Sequence, residues 1–265
     1  MKKIILAAAL AAVSMGVAET IKLPPPDKDS GVSVVQALKA RHSERAFSEK
    51  DIPAEMLSGL LWAANGFNRP DKRTNATALN LQTITVYAIM KSGAYRYDAK
   101  ANTLVKVCDK DLRTAIAAQQ AYAAAAPVSL LITADVSGPA YKGAKRSTLT
   151  HYDAGIVSGN IYLYCAANSL VTVCRASMDR DALKKALNLS DNVILHLNHP
   201  VGFPFEKKEE RRQYQEFPRH ERGKEVERRR NNDQDYYNEV RAIKFLQENN
   251  PQLLNELNQL QRGGK

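Results

Sequence analysis

Arg41-His42-Ser43-Glu44-Arg45 is the segment of this chain whose residue types and spacing suggest chemistry most directly. Its two guanidinium groups can bind phosphate oxygens in a bidentate manner, and the Ser43 hydroxyl adds a short hydrogen-bond donor. The segment therefore predicts an anion-binding site. Taken alone, it is better explained as a solvated turn in which the arginines pair with Glu44 or Glu49.

Other stretches extend this pattern, and they follow it in a fixed order along the chain. They are residues 60–66, 69–74, 76–82, 173–179 and 200–204. In identity, order and spacing these stretches resemble the FMN-dependent nitroreductase family, nearer its SagB-type dehydrogenase branch. Arg-His-Ser-x-Arg matches the family's flavin phosphate motif, and Asn80-x-Gln82 is similar to the family's Pro-Ser-x-x-Asn-x-Gln loop. The resemblance covers residues 32–204.

The resemblance implies a homodimer that binds two FMN molecules at the subunit interface. Arg41 and Ser43 would bind the FMN phosphate and ribityl chain, and His42 would pack within the same turn. Arg45 would lie near the pyrimidine edge of the flavin, where a cation stabilises negative charge that develops at N1 and O2.

The same resemblance implies further cofactor contacts outside this segment. Asn80 would reach the FMN of the other protomer from the loop that also contains Gln82, and Gln120 would bind the flavin ring. The backbone near Ala176 and Ser177 would donate to flavin N5. Lys207 or Lys208 would complete the phosphate site.

The chain departs from the family pattern at three places. Ala76 and Thr77 occupy positions where the family usually has Pro and Ser, so the loop before Asn80 is expected to differ in shape. Ala176 lies where relatives often have Gly. The chain also continues for a long stretch after residue 205.

Hydrophobic spacing predicts the elements that hold these segments in place. Helices are predicted over residues 32–41, 53–65, 111–125, 150–169 and 180–187. Strands are predicted over residues 83–90, 95–97, 104–107, 128–134, 170–174 and 193–197, and residues 68–80 are predicted to be a polar loop. This order favours an α+β fold, a three-layer sandwich of one mixed or antiparallel sheet flanked by helices.

The predicted helix 150–169 carries Gly155 and Gly159 four residues apart. Glycine is costly inside a helix unless another backbone must come close. The pair therefore predicts tight packing of this helix, within the fold or at a subunit interface.

Both ends of the chain differ from the body. Residues 1–18 combine a basic start, a short apolar run and small residues before Ala18, which predicts a signal peptide and an exported, periplasmic protein. Residues 19–31 contain three consecutive prolines and are predicted to be an extended lead-in to a flavin domain of residues 32–205. Residues 206–265 are predicted to be a charged helical extension.

The predicted function is that of an exported FMN-dependent oxidoreductase. It would take hydride from a reductant such as NAD(P)H and reduce a nitroaromatic or quinone-like small molecule in a two-electron ping-pong cycle, with the flavin supplying the chemistry. The net charge of +10 suits an anionic ligand, but it also suits general solubility. No nucleic-acid partner, stable membrane insertion or metal site is predicted. A flavin-dependent oxidase and a non-catalytic flavin-binding or scaffold protein of the same fold remain alternatives.

Overall fold

The computed structural model describes residues 19–29, 31–139 and 147–204. The chain divides into two units at residues 206 and 207, and every described residue belongs to the first of them. The predicted signal peptide and the predicted C-terminal extension lie outside the described residues. Within the described ranges, no helix is both long and apolar enough to cross a membrane.

A seven-stranded antiparallel sheet forms the centre of the first unit, with strand order β1-β6-β5-β4-β7-β9-β8. Its strands are β1 (Thr20–Lys22), β4 (Ile84–Met90), β5 (Gly93–Asp98), β6 (Thr103–Cys108), β7 (Val128–Asp135), β8 (Val171–Thr172) and β9 (Val193–Gly202). Strands β2 (Phe67–Arg69) and β3 (Lys72–Arg73) form a separate small hairpin. The helices are α1 (Val34–Ala40), α2 (Ala54–Asn65), α3 (Arg113–Ala117), α4 (Leu149–Ala167) and α5 (Arg180–Ala186).

Side chains of the central strands alternate between two hydrophobic layers. On β4, Val86 and Ala88 face the core beneath α2 and α4, whereas Tyr87 and Ile89 face the core beneath α3 and α5. Strand β7 is buried along almost its whole length because both of its faces are covered. The predicted three-layer α+β sandwich is therefore confirmed, and its sheet is antiparallel.

Most of the predicted elements occur close to their expected bounds. Ser33 caps α1, because its hydroxyl accepts a hydrogen bond from the Gln36 amide in a capping box. Helix α2 ends at Gly66 as expected, and the predicted meander appears as β4, β5 and β6 paired in succession. The extended lead-in additionally forms β1, which pairs with β6 at the sheet edge.

Two predicted elements differ from the structure in their type of secondary structure. The predicted polar loop 68–80 contains the β2–β3 hairpin and a 3₁₀ turn at Ala78–Asn80. The predicted single helix 111–125 is split at Ala118, where the backbone has φ 49°, into α3 and a 3₁₀ turn at Ala121–Ala125. Helix propensity alone does not override this local reversal of the chain.

The prediction that Gly155 and Gly159 permit close packing is wrong within the described chain. A Cβ at either position would meet nothing within 4 Å. The close approach between α2 and α4 occurs instead at Gly59, where a Cβ would clash with the Tyr164 ring and hydroxyl.

Candidate functional site

The segment 41–45 leaves α1 and runs along the edge of the sheet. The Arg41 amide still donates to the Ala37 carbonyl, whereas the Glu44 amide donates to the Thr172 carbonyl of the edge strand β8 at 3.0 Å. The Glu44 carboxylate accepts from the amides of Arg45 and Ala46, which closes the turn. The segment is therefore fixed by its backbone, and most of its side chains remain exposed.

Neither arginine of this segment forms an ion pair with another described residue. The ion pairs of the described ranges involve Lys72, Lys106 and Arg113 instead. The Arg41 guanidinium lies 5.4 Å from the centroid of the Tyr162 ring, and Arg45 is exposed. The interpretation of the segment as an ion-paired turn is therefore wrong for the described residues, and both guanidiniums remain available to an anion.

Tyr162, on α4, connects this segment to residues 174–177. Its hydroxyl lies 2.7 Å from Ser43 Oγ and accepts a hydrogen bond from the Cys174 amide at 2.8 Å. Tyr162 is not among the site residues predicted from the sequence. No local pattern could have revealed its role, because its partners lie 119 and 12 residues away.

A buried histidine, His199, packs against the Tyr162 ring. The His199 ring packs edge-on against Tyr162 with centroids 5.2 Å apart. Thr172 Oγ1 donates its only proton to the Pro200 carbonyl, so His199 Nδ1 donates to Thr172 Oγ1 and Nε2 accepts from the Ser158 hydroxyl. Because burial disfavours its charged form, the pKa of His199 is lowered to about 3.

This neutral histidine makes stability depend on pH. The unfolded pKa of histidine is about 6.5, so the stabilisation is complete above that pH and is lost as the pH falls towards 3. We compare the free energies of unfolding of wild type and of His199→Asn. The difference between them is expected to shrink by up to about 1.4 kcal/mol for each pH unit below about pH 6.5. Urea unfolding between pH 7.5 and 4.5 measures it. His42→Gln, at an exposed histidine, is the control, and a difference that is constant with pH would contradict the prediction.

The residues predicted to contact the flavin ring converge on Arg175. Gln120 Oε1 accepts from Arg175 Nε at 2.9 Å, and Asn198, which also bonds the guanidinium, donates to the Ser177 carbonyl at 3.0 Å. The amide groups of Ala176 and Ser177 donate to no described residue. Two backbone donors are thus left for a ligand, as the expected contact to flavin N5 requires.

The loop with Asn80 and Gln82 is held apart from this cluster. The Gln82 amide nitrogen donates to the Asp71 carbonyl and to Asn80 Oδ1, and its oxygen accepts from Arg73. Asn80 and Gln82 both adopt positive φ angles, and Asn80 is exposed. Within the described chain, hydrogen bonds tie this loop to the β2–β3 hairpin and α4 rather than to residues 41–45.

A buried carboxylate that sequence reasoning missed anchors this loop. Asp153 on α4 accepts from the Thr77 hydroxyl at 2.9 Å and from the Ala78 amide at 3.2 Å. Thr77 Oγ1 in turn accepts from the Gln82 amide. The hydroxyl at position 77 therefore retains a structural role although the usual Ser is replaced by Thr.

The hydrogen-bond donors of this site have the chemistry that a flavin mononucleotide requires. Arg41 and Arg45, which form no ion pair with a described residue, and the Ser43 hydroxyl suit a phosphate. The amides of Ala176 and Ser177, which donate to no described residue, suit a ring nitrogen. Lys207 and Lys208 lie outside the described residues. Among the described residues, no cluster of three or more His, Cys, Asp or Glu has the arrangement of metal ligands.

The described residues thus form an antiparallel sheet between two helical layers, with an exposed arginine-containing segment along its edge. A model of the nitroreductase family matches residues 38–203 of the chain. The chain therefore belongs to the nitroreductase family and is an oxidoreductase.

Solved structures agree with this assignment. A nitroreductase-type protein of Ralstonia eutropha JMP134 shares 28% identity with a TM-score of 0.64, over 78% of this chain and 97% of that one. One of Anabaena variabilis ATCC 29413 shares 17% identity with a TM-score of 0.61, over 76% of this chain but only 45% of that one, and thus shows the fold alone. A comparison with curated proteins found no match.

Proposed function

We propose that this protein is an FMN-dependent oxidoreductase that reduces a small electron-poor acceptor such as a nitroaromatic or a quinone. The main support is the connected donor set, in which Ser43 is joined through Tyr162 to Cys174, two residues before Ala176. The amides of Ala176 and Ser177 donate to no described residue. When bound, FMN supplies two-electron redox chemistry in a ping-pong cycle.

In this proposal the protein binds and orients the cofactor. Arg41 and Ser43 hold the phosphate and ribityl end, and Arg45 lies near the pyrimidine edge of the ring. Gln120 and the amides of Ala176 and Ser177 contact the ring, the latter at N5. The Arg-His-Ser-x-Arg motif also supports a position near the SagB-type branch of the family.

Purified recombinant protein tests the proposal. We expect a yellow protein whose absorbance is bleached by NADPH or dithionite and restored by menadione or a nitroaromatic compound. A protein that stays colourless after incubation with FMN would contradict the proposal and would favour a scaffold function instead. A protein that binds FMN but reacts only with oxygen and an organic substrate would indicate an oxidase.

We further propose a homodimer formed through the exposed face of α1 and α4. Tyr152 and Ile156 on α4 are exposed by 65% and 41%, and they share one helical stripe with Gly155 and Gly159. Helix α1 packs against α4 and exposes three large apolar side chains, Val34, Val35 and Leu38. Such a continuous apolar surface is typical of a subunit interface.

A charge on this face should disrupt the dimer. We expect Ile156→Asp to give a monomer at micromolar concentration and to lose FMN, because each proposed site includes Asn80 of the other protomer. Size-exclusion chromatography with light scattering measures the mass. Val107→Asp, at an apolar side chain on β6 that is 37% exposed, is the control. A dimeric Ile156→Asp would contradict this interface.

We also propose that the protein is exported to the periplasm after cleavage behind Ala18. NAD(P)H is scarce outside the cytoplasm, so the physiological electron donor is expected to be a different reductant. N-terminal sequencing of protein recovered from the periplasmic fraction tests the export, and a chain that retains Met1 would contradict it.

A further inference from the structure

Arg175 is a buried cation at the centre of the predicted ring-binding region. The residue is only 5% exposed. Its guanidinium donates to the side chains of Gln120 and Asn198 and to the carbonyls of Ile116 and Ala117, at distances of 2.8–3.0 Å. Four of the five N–H donors of the guanidinium are thus used, and the backbone of Arg175 is also paired with Asn198 in both directions.

Each of these acceptors is a neutral group. The two carbonyls lie at the C-terminal end of α3, where the split at Ala118 ends the helix, and the Ala117 carbonyl also accepts from the Gln120 amide at 2.9 Å. No described carboxylate pairs with Arg175. Burial lowers the pKa of Arg175, but an arginine in a protein stays protonated, so a full positive charge remains in a site with little water.

The contacts of Arg175 coincide with the ring-contacting set. Gln120 receives Arg175 Nε, and Asn198 bonds both Arg175 and the Ser177 carbonyl. Ala176 and Ser177, whose amides have no described acceptor, follow Arg175 directly in the chain. A purely structural role would be served by capping α3 alone, which does not require the contacts to Gln120 and Asn198.

We propose that Arg175 is a positioning residue that fixes Gln120 and the 176–177 backbone against the flavin, and that its buried charge makes the bound flavin easier to reduce. This inference rests on the proposed function. A flavin that takes two electrons and one proton from its reductant gains one negative charge. A fixed cation nearby stabilises that charge more than the neutral oxidised ring, and it does so strongly where water is excluded.

Two substitutions remove the effect of the charge in different ways. Arg175→Met removes the cation and its hydrogen bonds. Asn198→Asp keeps the cation and the side-chain shape and places a carboxylate oxygen at the atom that lies 2.8 Å from the guanidinium, which offsets its charge. It also removes the hydrogen bond that the Asn198 amide donates to the Ser177 carbonyl. Arg175→Lys keeps the charge without the planar fork. Lys100→Met, at an exposed position between β5 and β6, removes one positive charge elsewhere and is the matched control.

The measurement is the midpoint potential of bound FMN, determined by equilibration with reference dyes, beside the dissociation constant of oxidised FMN. We expect Arg175→Met and Asn198→Asp to weaken the preference for reduced over oxidised FMN at least about tenfold, which is about 30 mV for a two-electron couple. Arg175→Lys should keep a potential closer to wild type yet bind FMN more weakly, and Lys100→Met should match wild type in both values.

The outcomes separate this inference from the proposed function. If wild-type protein binds no FMN, the proposed function fails and this inference fails with it. If wild type binds FMN but Asn198→Asp leaves the potential unchanged, the inference alone is overturned, even where Arg175→Met does not fold. A potential that falls equally in Arg175→Lys and Arg175→Met would also overturn the role of the charge.

Discussion

Arg41→Ala should weaken FMN binding by about 10- to 150-fold, because one charge-assisted hydrogen bond contributes about 1.5–3 kcal/mol. The Arg41 side chain is exposed and forms no ion pair with a described residue, so its removal leaves no buried partner unsatisfied. The free energy of unfolding of the apoprotein is therefore expected to change by less than about 0.5 kcal/mol. A large loss of affinity with unchanged stability is the signature of a ligand-binding residue.

Fluorescence titration of apoprotein with FMN measures this loss, since the flavin signal changes on binding. Lys39→Ala removes a positive charge two residues earlier, in the last turn of α1, and controls for the general effect of charge on an anion. Arg41→Lys should recover only part of the affinity, because an ammonium group lacks the bidentate geometry. If Arg41→Ala and Lys39→Ala bind FMN equally well, Arg41 does not hold the phosphate.

The elements that sequence reasoning predicted well are those whose burial follows a simple period. Strands β4 and β7 are apolar because they lie at the centre of the sheet, and α2 carries its core residues at helical spacing. The segment 41–45 also stands out in the sequence, because its polar side chains lie in one short stretch, and most of them are exposed in the structure. In each case the signal lies within the element itself.

The predictions that failed depend on contacts that the local sequence does not contain. Alanine-rich residues 111–125 favour a helix, yet the chain reverses at Ala118, and Arg175 binds the carbonyls that this reversal exposes. The apolar residues Val34, Val35 and Leu38 of α1 recur at helical spacing, yet they are exposed in the single chain. A hydrophobic period shows that a face is covered in the functional state but does not identify what covers it.

The parts of the site that sequence reasoning missed share one physical feature. Tyr162, Arg175 and Asp153 are each hydrogen-bonded to a segment far away in sequence, and each holds a loop that the motifs did identify. Residues that touch a ligand are constrained in type and spacing. Supporting residues are constrained only by tertiary geometry, so many residue types and positions could serve.

Asp153 offers the sharpest test of such a supporting residue. The carboxylate is 3% exposed, and it holds both Thr77 and the Ala78 amide at the start of the turn that leads to Asn80. Asp153→Ala leaves two half-buried donors, the Thr77 hydroxyl and the Ala78 amide, without this acceptor, and each such loss costs about 1–3 kcal/mol. We expect the free energy of unfolding to fall by about 2–4 kcal/mol, because release of the buried charge offsets part of the loss.

Urea unfolding of the apoprotein at pH 7.5 measures this change. Asp191→Ala, at an exposed aspartate before β9, is the control and should shift stability by less than about 0.5 kcal/mol. Asp153→Asn should cost less than Asp153→Ala, because the amide oxygen can accept from Ala78 while the amide nitrogen donates to Thr77 Oγ1.

A double-mutant cycle with Thr77→Val then isolates the side-chain contact. If Thr77 and Asp153 act together, the double variant should lose about 1–2 kcal/mol less than the sum of the two single variants. Because the same hydroxyl accepts from the Gln82 amide, Thr77→Val should also loosen the Asn80–Gln82 turn and weaken FMN binding in the proposed dimer. Additive losses of stability would show that Asp153 does not position this loop through Thr77, and the effect of Asp153 would then arise from the Ala78 amide alone.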